Sequence, residues 1–180
     1  MITWFEILVI VFLGLGMFTT SMPKMAAISL VITVLAIDSL INLYGLVWAE
    51  AIVALIPALT IGEESSWIKG YMVVLVQSIT ALILFFSAHW CDSREDRLFF
   101  RIMALFLFAS ALIIPLYKFG VIYEFSQYTL FYHTIDIIMV FTVFYFSDGT
   151  KQLIGSLRDT LSRRYPDSLG LRRERKGMRR

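Results

Sequence analysis

The stretch FSQYTLFYHTIDIIMVFTVFYFS, residues 125–147, and the basic tail that follows it, residues 150–180, decide the fold. At 1.5 Å per residue, a helix of this length crosses the roughly 30 Å hydrocarbon core of a bilayer. The tail carries ten of the 16 lysine and arginine residues of the chain. Because basic residues stay on the cytoplasmic side of a membrane, we expect this stretch to be the last span, with its carboxyl end in the cytoplasm.

The composition of the whole chain indicates a polytopic membrane protein. Hydrophobic residues make up 58% of the 180 residues and charged residues 17%, with a mean hydropathy of +0.75. A soluble domain carries about 25% charged residues. The single cysteine, Cys91, excludes an internal disulfide. The first apolar run lacks the basic amino end and the cleavage site of a signal peptide, so we expect it to be retained as a span.

We predict an all-α bundle of about five transmembrane helices, residues 1–149, followed by a cytoplasmic amphipathic helix. The stretch 48–62 is too short to cross comfortably, and we interpret it as an interfacial or re-entrant helix. A six-span alternative, in which this stretch crosses, stays open. In the first span, Gly14 and Gly16 are expected to allow close helix packing. The five predicted spans are residues 3–20, 25–47, 67–90, 98–117 and 125–147.

Basic residues are distributed unevenly between alternate loops, and this asymmetry sets the orientation. The positive-inside rule places the amino terminus outside and the carboxyl terminus in the cytoplasm, in a bacterial-type inner membrane. The six-span alternative would instead put the amino terminus inside. With five spans, the cytoplasmic side holds Lys24, Arg94, Arg97 and Arg101 besides the tail, and the outer side holds only Lys69 and Lys118.

Polar residues recur at similar depth in three predicted spans. Asp38 and Asn42 share one face of the second span, Gln77 lies near the centre of the third, and His133 and Asp136 share one face of the fifth. A charge in hydrocarbon costs at least about 2.5 kcal/mol, so buried carboxylates must be paired, protonated or hydrated.

We interpret these five residues as an ion or proton pathway. Asp38 and Asp136 would bind the proton or cation, His133 would relay it or sense pH, and Asn42 and Gln77 would orient them. The alternative interpretation is that the same residues only hydrogen-bond neighbouring helices and specify packing.

Other chemistry finds little support in the sequence. His89 and His133 would lie on the order of 15 Å apart in depth, too far to share one haem iron, so no cofactor or metal is expected. No nucleophile or metallopeptidase motif occurs, so we expect no enzyme activity. Glu6 in the first span could join the polar residues or reach the membrane surface, and we favour the surface.

The tail contains an amphipathic basic helix that ends at Pro166. Leu153, Leu157 and Leu161 recur every four residues between basic side chains, a pattern typical of a helix lying on anionic lipid at the inner leaflet. An acidic partner is the alternative, and base stacking on a nucleic acid is not indicated because Tyr165 is the tail's only aromatic residue. The basic residues assigned to this binding are Lys151, Arg158, Arg163, Arg164, Arg172, Arg173, Arg175, Lys176, Arg179 and Arg180.

Two functions follow from these patterns. The first is a small proton or cation channel, or a transport component, working alone, as a homo-oligomer or in a larger membrane complex. The second is a non-enzymatic scaffold or adaptor whose tail binds anionic lipid or a cytoplasmic partner.

Overall fold

In the computed structural model, the described residues form six α-helices and one 3-10 turn, and they contain no strand. The structure describes residues 4–55, 64–122 and 124–164, and side chains for 4–41, 44, 69–122 and 124–160. The all-α class is therefore confirmed for this part of the chain. In order, the helices are α1 (Trp4–Met17), α2 (Met22–Leu55), α3 (Glu64–Ser87), α4 (Arg94–Lys118), α5 (Phe125–Tyr145) and α6 (Asp148–Arg164), and the 3-10 turn Ala88–Trp90 follows α3.

Four helices are long and apolar enough to cross a membrane, which suggests a membrane protein. α1 is shorter: its 14 residues extend about 21 Å at 1.5 Å per residue. The four candidate spans are Met22–Ile41, Lys69–Trp90, Arg94–Lys118 and Phe125–Tyr145.

Helices α1 to α5 form a closed ring in which each packs on the next and α5 returns to α1. α2 also contacts α4 across the ring. Their ends meet in two groups. We call the group that holds Lys24 beside Glu95 the Lys24 end, and the group that holds Tyr71 beside Lys118 the Tyr71 end. The interior between the two ends is mainly apolar.

α2 continues without interruption from Met22 to Leu55. Residues 48–55, which the sequence assigns to a separate helix, therefore continue the helix of the second predicted span, and residues 56–62 lie outside the described part of the chain. The 34 residues of α2 are roughly 50 Å long, more than the thickness of a hydrocarbon core. The interfacial or re-entrant placement of 48–62 stays a prediction.

α4 begins four residues before the predicted span because the charged sequence around residue 93 caps it. The Ser93 hydroxyl accepts a hydrogen bond of 2.9 Å from the Asp96 amide, which satisfies one of the free amides of the first turn. Glu95 and Asp96 add negative charge at this positive end of the helix dipole. At its far end, Gly120 adopts φ 70°, and this left-handed residue turns the chain toward α5.

Candidate functional site

A buried polar cluster lies where α2, α3 and α5 meet. The Gln77 side-chain amide donates hydrogen bonds to Asp38 Oδ2 at 2.6 Å and to the Tyr132 hydroxyl at 3.0 Å. Gln77 is wholly buried, and Asp38 and Asp136 are only 4% and 3% exposed. The structure thus brings together three of the five residues that the sequence assigns to one pathway.

Carboxylates from three helices line one small cavity in this cluster. Glu6 of α1, Asp38 of α2 and Asp136 of α5 surround it, together with Ser39 and Tyr132. Its volume of about 10 Å³ is close to what a single water molecule needs. Among the described residues, no group of three or more acidic, histidine or cysteine side chains has the arrangement of a metal site.

Glu6 lines this cavity, contrary to the expectation that it reaches the membrane surface. It lies in the first turn of α1, and α1 packs between α2 and α5. This packing turns Glu6 toward the two aspartates. In the sequence, Glu6 is a single acidic residue in an otherwise apolar helix, and this pattern does not show which way its side chain points.

Three buried polar atoms of the cluster have no hydrogen-bond partner among the described residues: Asp38 Oδ1, Gln77 Oε1 and His133 Nδ1. Each unsatisfied buried group costs about 1–3 kcal/mol. Helix packing alone would favour an arrangement in which these groups are paired. The cavity in the cluster has room for one water molecule that can bond to such atoms.

His133 lies at the edge of the cluster. Its Nδ1 is 3.9 Å from Asp136 Oδ2, which is too far for a hydrogen bond. Its ring packs on Phe5, with the ring centres 4.1 Å apart, and its side chain is 28% exposed. His133 can therefore reach both the cluster and the surface of the bundle. Asn42 lies one turn beyond Asp38 in α2, but its side chain is outside the described part, so its orienting role stays a prediction.

Sequence reasoning missed the tyrosines of this site. Tyr132 stacks on Tyr128 with ring centres 6.2 Å apart, and Tyr128 contacts Tyr117 at 5.2 Å. These rings form a column from the cluster toward the Tyr71 end. The available signal was the four-residue spacing of Tyr128, Tyr132 and Asp136, which places them on one face of α5.

Apolar side chains separate the cluster from the Lys24 end. We call this group the apolar plug. From Asp136 to its last residue, Tyr145, α5 advances nine residues, or about 14 Å, and the interior at this level is hydrophobic. The plug consists of Leu13, Ile28, Val31, Met139 and Val143, none of which is more than 1% exposed.

A second charged cluster closes the Lys24 end. The Lys24 side chain is only 3% exposed, and its Nζ lies 2.5 Å from Glu95, 3.6 Å from Asp96 and 4.0 Å from Asp148. It also donates a hydrogen bond to the Phe146 carbonyl. These partners offset the cost of burying the ammonium group. The sequence identifies Lys24 only as a basic loop residue, since its partners are far away in the chain.

The basic tail is described only in part. Lys151 pairs with Glu95 and with Asp148, so nearby carboxylates partly offset its charge. Arg158 is exposed on α6, as is every side chain from 151 to 160. The side chains of Arg163 and Arg164 in α6, and all of Arg172, Arg173, Arg175, Lys176, Arg179 and Arg180, lie outside the described part.

Comparison of the chain with protein-family models, with curated proteins and with solved structures gave no match.

Proposed function

We propose that this protein is a membrane transport component that binds and exchanges a proton at the buried cluster of Asp38 and Asp136. One observation carries the proposal: carboxylates from three helices surround a cavity of one-water size. Intramembrane carboxylates that face a polar cavity are typical of proton and ion pathways. Asp38 Oδ1 and Gln77 Oε1 accept no hydrogen bond from any described residue, so these acceptors are available to a water molecule or a proton donor in the cluster.

The shortest way out of the cluster leads toward the Tyr71 end, because Glu6 lies in the first turn of α1. Toward the Lys24 end, the apolar plug blocks the interior. A proton bound at the cluster would therefore exchange with one side of the membrane in this conformation. Transfer to the other side requires the plug to open, which favours a gated carrier or channel over a permanent pore.

We infer five spans, with the Lys24 end in the cytoplasm of a bacterial-type inner membrane. α1 supports this count because it occupies a full place in the ring between α2 and α5. The ion pair of Lys24 with Glu95 supports it further, since the six-span alternative would put these residues on opposite sides of the membrane. Lys118, with its Nζ 2.6 Å from the Tyr71 hydroxyl, would then face outward.

Proton flux into liposomes that contain the purified protein tests the proposal. Asp136→Asn and Asp38→Asn keep the size of the side chain, and the amide oxygen that Asp38→Asn introduces could still accept the Gln77 hydrogen bond, so both variants should insert. We expect flux to fall at least about tenfold in each, as a group that carries the proton is lost. Thr80→Val is the control, because the Thr80 hydroxyl bonds only within its own helix. Wild-type flux in Asp136→Asn, or no wild-type flux at any pH or voltage, would contradict the proposal.

The second candidate is a scaffold or adaptor that acts through the tail. The observation in its favour is α6, where Leu153, Ile154 and Leu157 are 53–60% exposed on a helix that also carries Lys151 and Arg158. Such a helix suits an anionic membrane surface or a cytoplasmic partner. Deleting residues 169–180 should then abolish function while Asp38→Asn and Asp136→Asn have no effect. The opposite pattern would refute the scaffold.

A further inference from the structure

A groove lies between α3 and α4 on the outer, membrane-facing side of the bundle. The small residues Ala81 and Ala104 form its floor, and Phe85 and Phe108 are among the apolar side chains of its walls. Its volume is about 320 Å³. The groove is open along one side and almost wholly apolar, so it can hold part of an acyl chain. Among the described residues, Arg101 is the single charged one that lines it.

Arg101 has no hydrogen bond or ion pair to any described residue, and its side chain is exposed. It lies seven residues into α4, about 10 Å from the start of the helix. The nearby carboxylates of Glu95 and Asp96 are directed to Lys24. A guanidinium at this depth reaches toward the polar interface and is stabilised there by an anion.

The groove continues into a basic stripe at the Lys24 end. Arg94, Arg97 and Arg101 have spacings of three and four residues, so they share one face of α4. One of them, Arg97, also donates a hydrogen bond of 3.4 Å to the Asp92 carbonyl. In the 3-10 turn after α3, the His89 ring lies 6.1 Å from that of Phe85. The site thus has a basic head and an apolar body.

A second groove of about 320 Å³ lies between α1 and α5. Comparing the two grooves shows how charge affects selection of a lipid headgroup. It is lined by Phe5, Leu8, Phe12 and other apolar residues, and no charged side chain of the described part of the chain lines it. Bilayer lipid of any headgroup can fill it. The groove between α3 and α4 has the same size but positive charge at one end, which selects the headgroup.

We propose that the groove between α3 and α4 binds one anionic phospholipid from the leaflet at the Lys24 end. Its phosphate pairs with Arg101, and one acyl chain lies between Phe85 and Phe108. Basic pockets between membrane helices are known to hold anionic headgroups in this way. The proposal is independent of the buried cluster and holds whether or not the cluster moves protons. It also differs from lipid binding by the tail, because it uses the bundle.

Native mass spectrometry of the full chain in detergent, titrated with phosphatidylglycerol or phosphatidylcholine, tests the site. We expect one phosphatidylglycerol to bind wild type at least about fivefold more tightly than phosphatidylcholine, since Arg101 contributes a charge-assisted hydrogen bond. Arg101→Gln should weaken phosphatidylglycerol binding about tenfold. Arg101→Lys keeps the charge and should lose less than about threefold. Lys118→Gln is the matched control, because it removes one positive charge at the Tyr71 end, outside the groove and the tail, and it should bind as wild type does.

Several outcomes would overturn the proposal. Equal losses in Arg101→Gln and Lys118→Gln would mean that lipid responds only to net charge. Equal affinity of wild type for the two lipids would remove the headgroup selection. Displacement of phosphatidylglycerol by millimolar inorganic phosphate would assign the binding to the anion without the acyl chain. Circular dichroism checks that Arg101→Gln and Arg101→Lys keep the wild-type helix content.

Discussion

Gln77 holds the buried cluster together because one amide group serves two acceptors, Asp38 and Tyr132. Gln77→Met removes both hydrogen bonds at similar volume and leaves Asp38 buried without this donor. We expect the free energy of unfolding in lipid–detergent mixtures to fall by about 1–2 kcal/mol, near the upper range for polar contacts between membrane helices. Thr80→Val, on the same helix, should cost less than about 0.5 kcal/mol. Equal losses would mean that Gln77 contributes no more than an ordinary buried polar residue.

Lys24 and Lys151 both pair with Glu95 but differ in burial, so comparing them separates the effect of burial from that of charge. The Lys24 side chain is 3% exposed and that of Lys151 is 42% exposed. Lys24→Met should destabilise the bundle by about 3 kcal/mol, because it leaves carboxylates without their buried partner. Lys151→Met should cost less than about 1 kcal/mol, as exposed ion pairs usually do. Thermal unfolding in detergent measures both, and similar losses would contradict the assignment of Lys24 as the buried anchor.

At the scale of elements, the contact of α1 with α5 depends on one glycine. A Cβ added at Gly16 would overlap Val143 Cγ1, whereas one added at Gly14 meets nothing within 4 Å. Gly16→Ala should therefore destabilise the bundle by about 1–3 kcal/mol through overpacking. Gly14→Ala should be neutral or stabilising by up to about 1 kcal/mol, since alanine favours the helix. The thermal midpoints of the two variants test this difference, and equal midpoints would refute it.

The helices that could be predicted are those that residues close together in the sequence indicate. Long apolar runs predict helices at α3, α4 and α5, and close packing at Gly16 is confirmed, although Gly14 shows no such contact. Depth counting also places Asp38, Gln77 and Asp136 at one level. What the sequence could not supply is the rotation of each helix about its axis. That rotation directs Glu6 into the cavity and Lys24 toward Glu95, a residue 71 positions away.

At the scale of the whole molecule, the five-span topology can be tested at the two ends of the bundle. Phe18 and Val121 lie at opposite ends of the bundle and are 80% and 62% exposed. Each is replaced by cysteine in a separate variant. Both substitutions are made in a Cys91→Ser background, because Cys91 would otherwise be labelled as well. Burial raises the pKa of the Cys91 thiol, which slows its labelling but does not abolish it. With five spans, a membrane-impermeant maleimide should label position 121 on intact cells and position 18 only after permeabilisation. Labelling of both positions on intact cells would favour six spans.

The proposed transport function requires that Asp38 and Asp136 exchange a proton inside the bundle. Infrared difference spectra of the protein in lipid, recorded between high and low pH, measure this directly through the carbonyl band of a buried protonated carboxyl. We predict that this band appears in wild type, falls in Asp38→Asn and Asp136→Asn, and is unchanged in Glu124→Gln, whose side chain is exposed. A spectrum that is the same in wild type and in both aspartate variants would contradict proton exchange at Asp38 and Asp136.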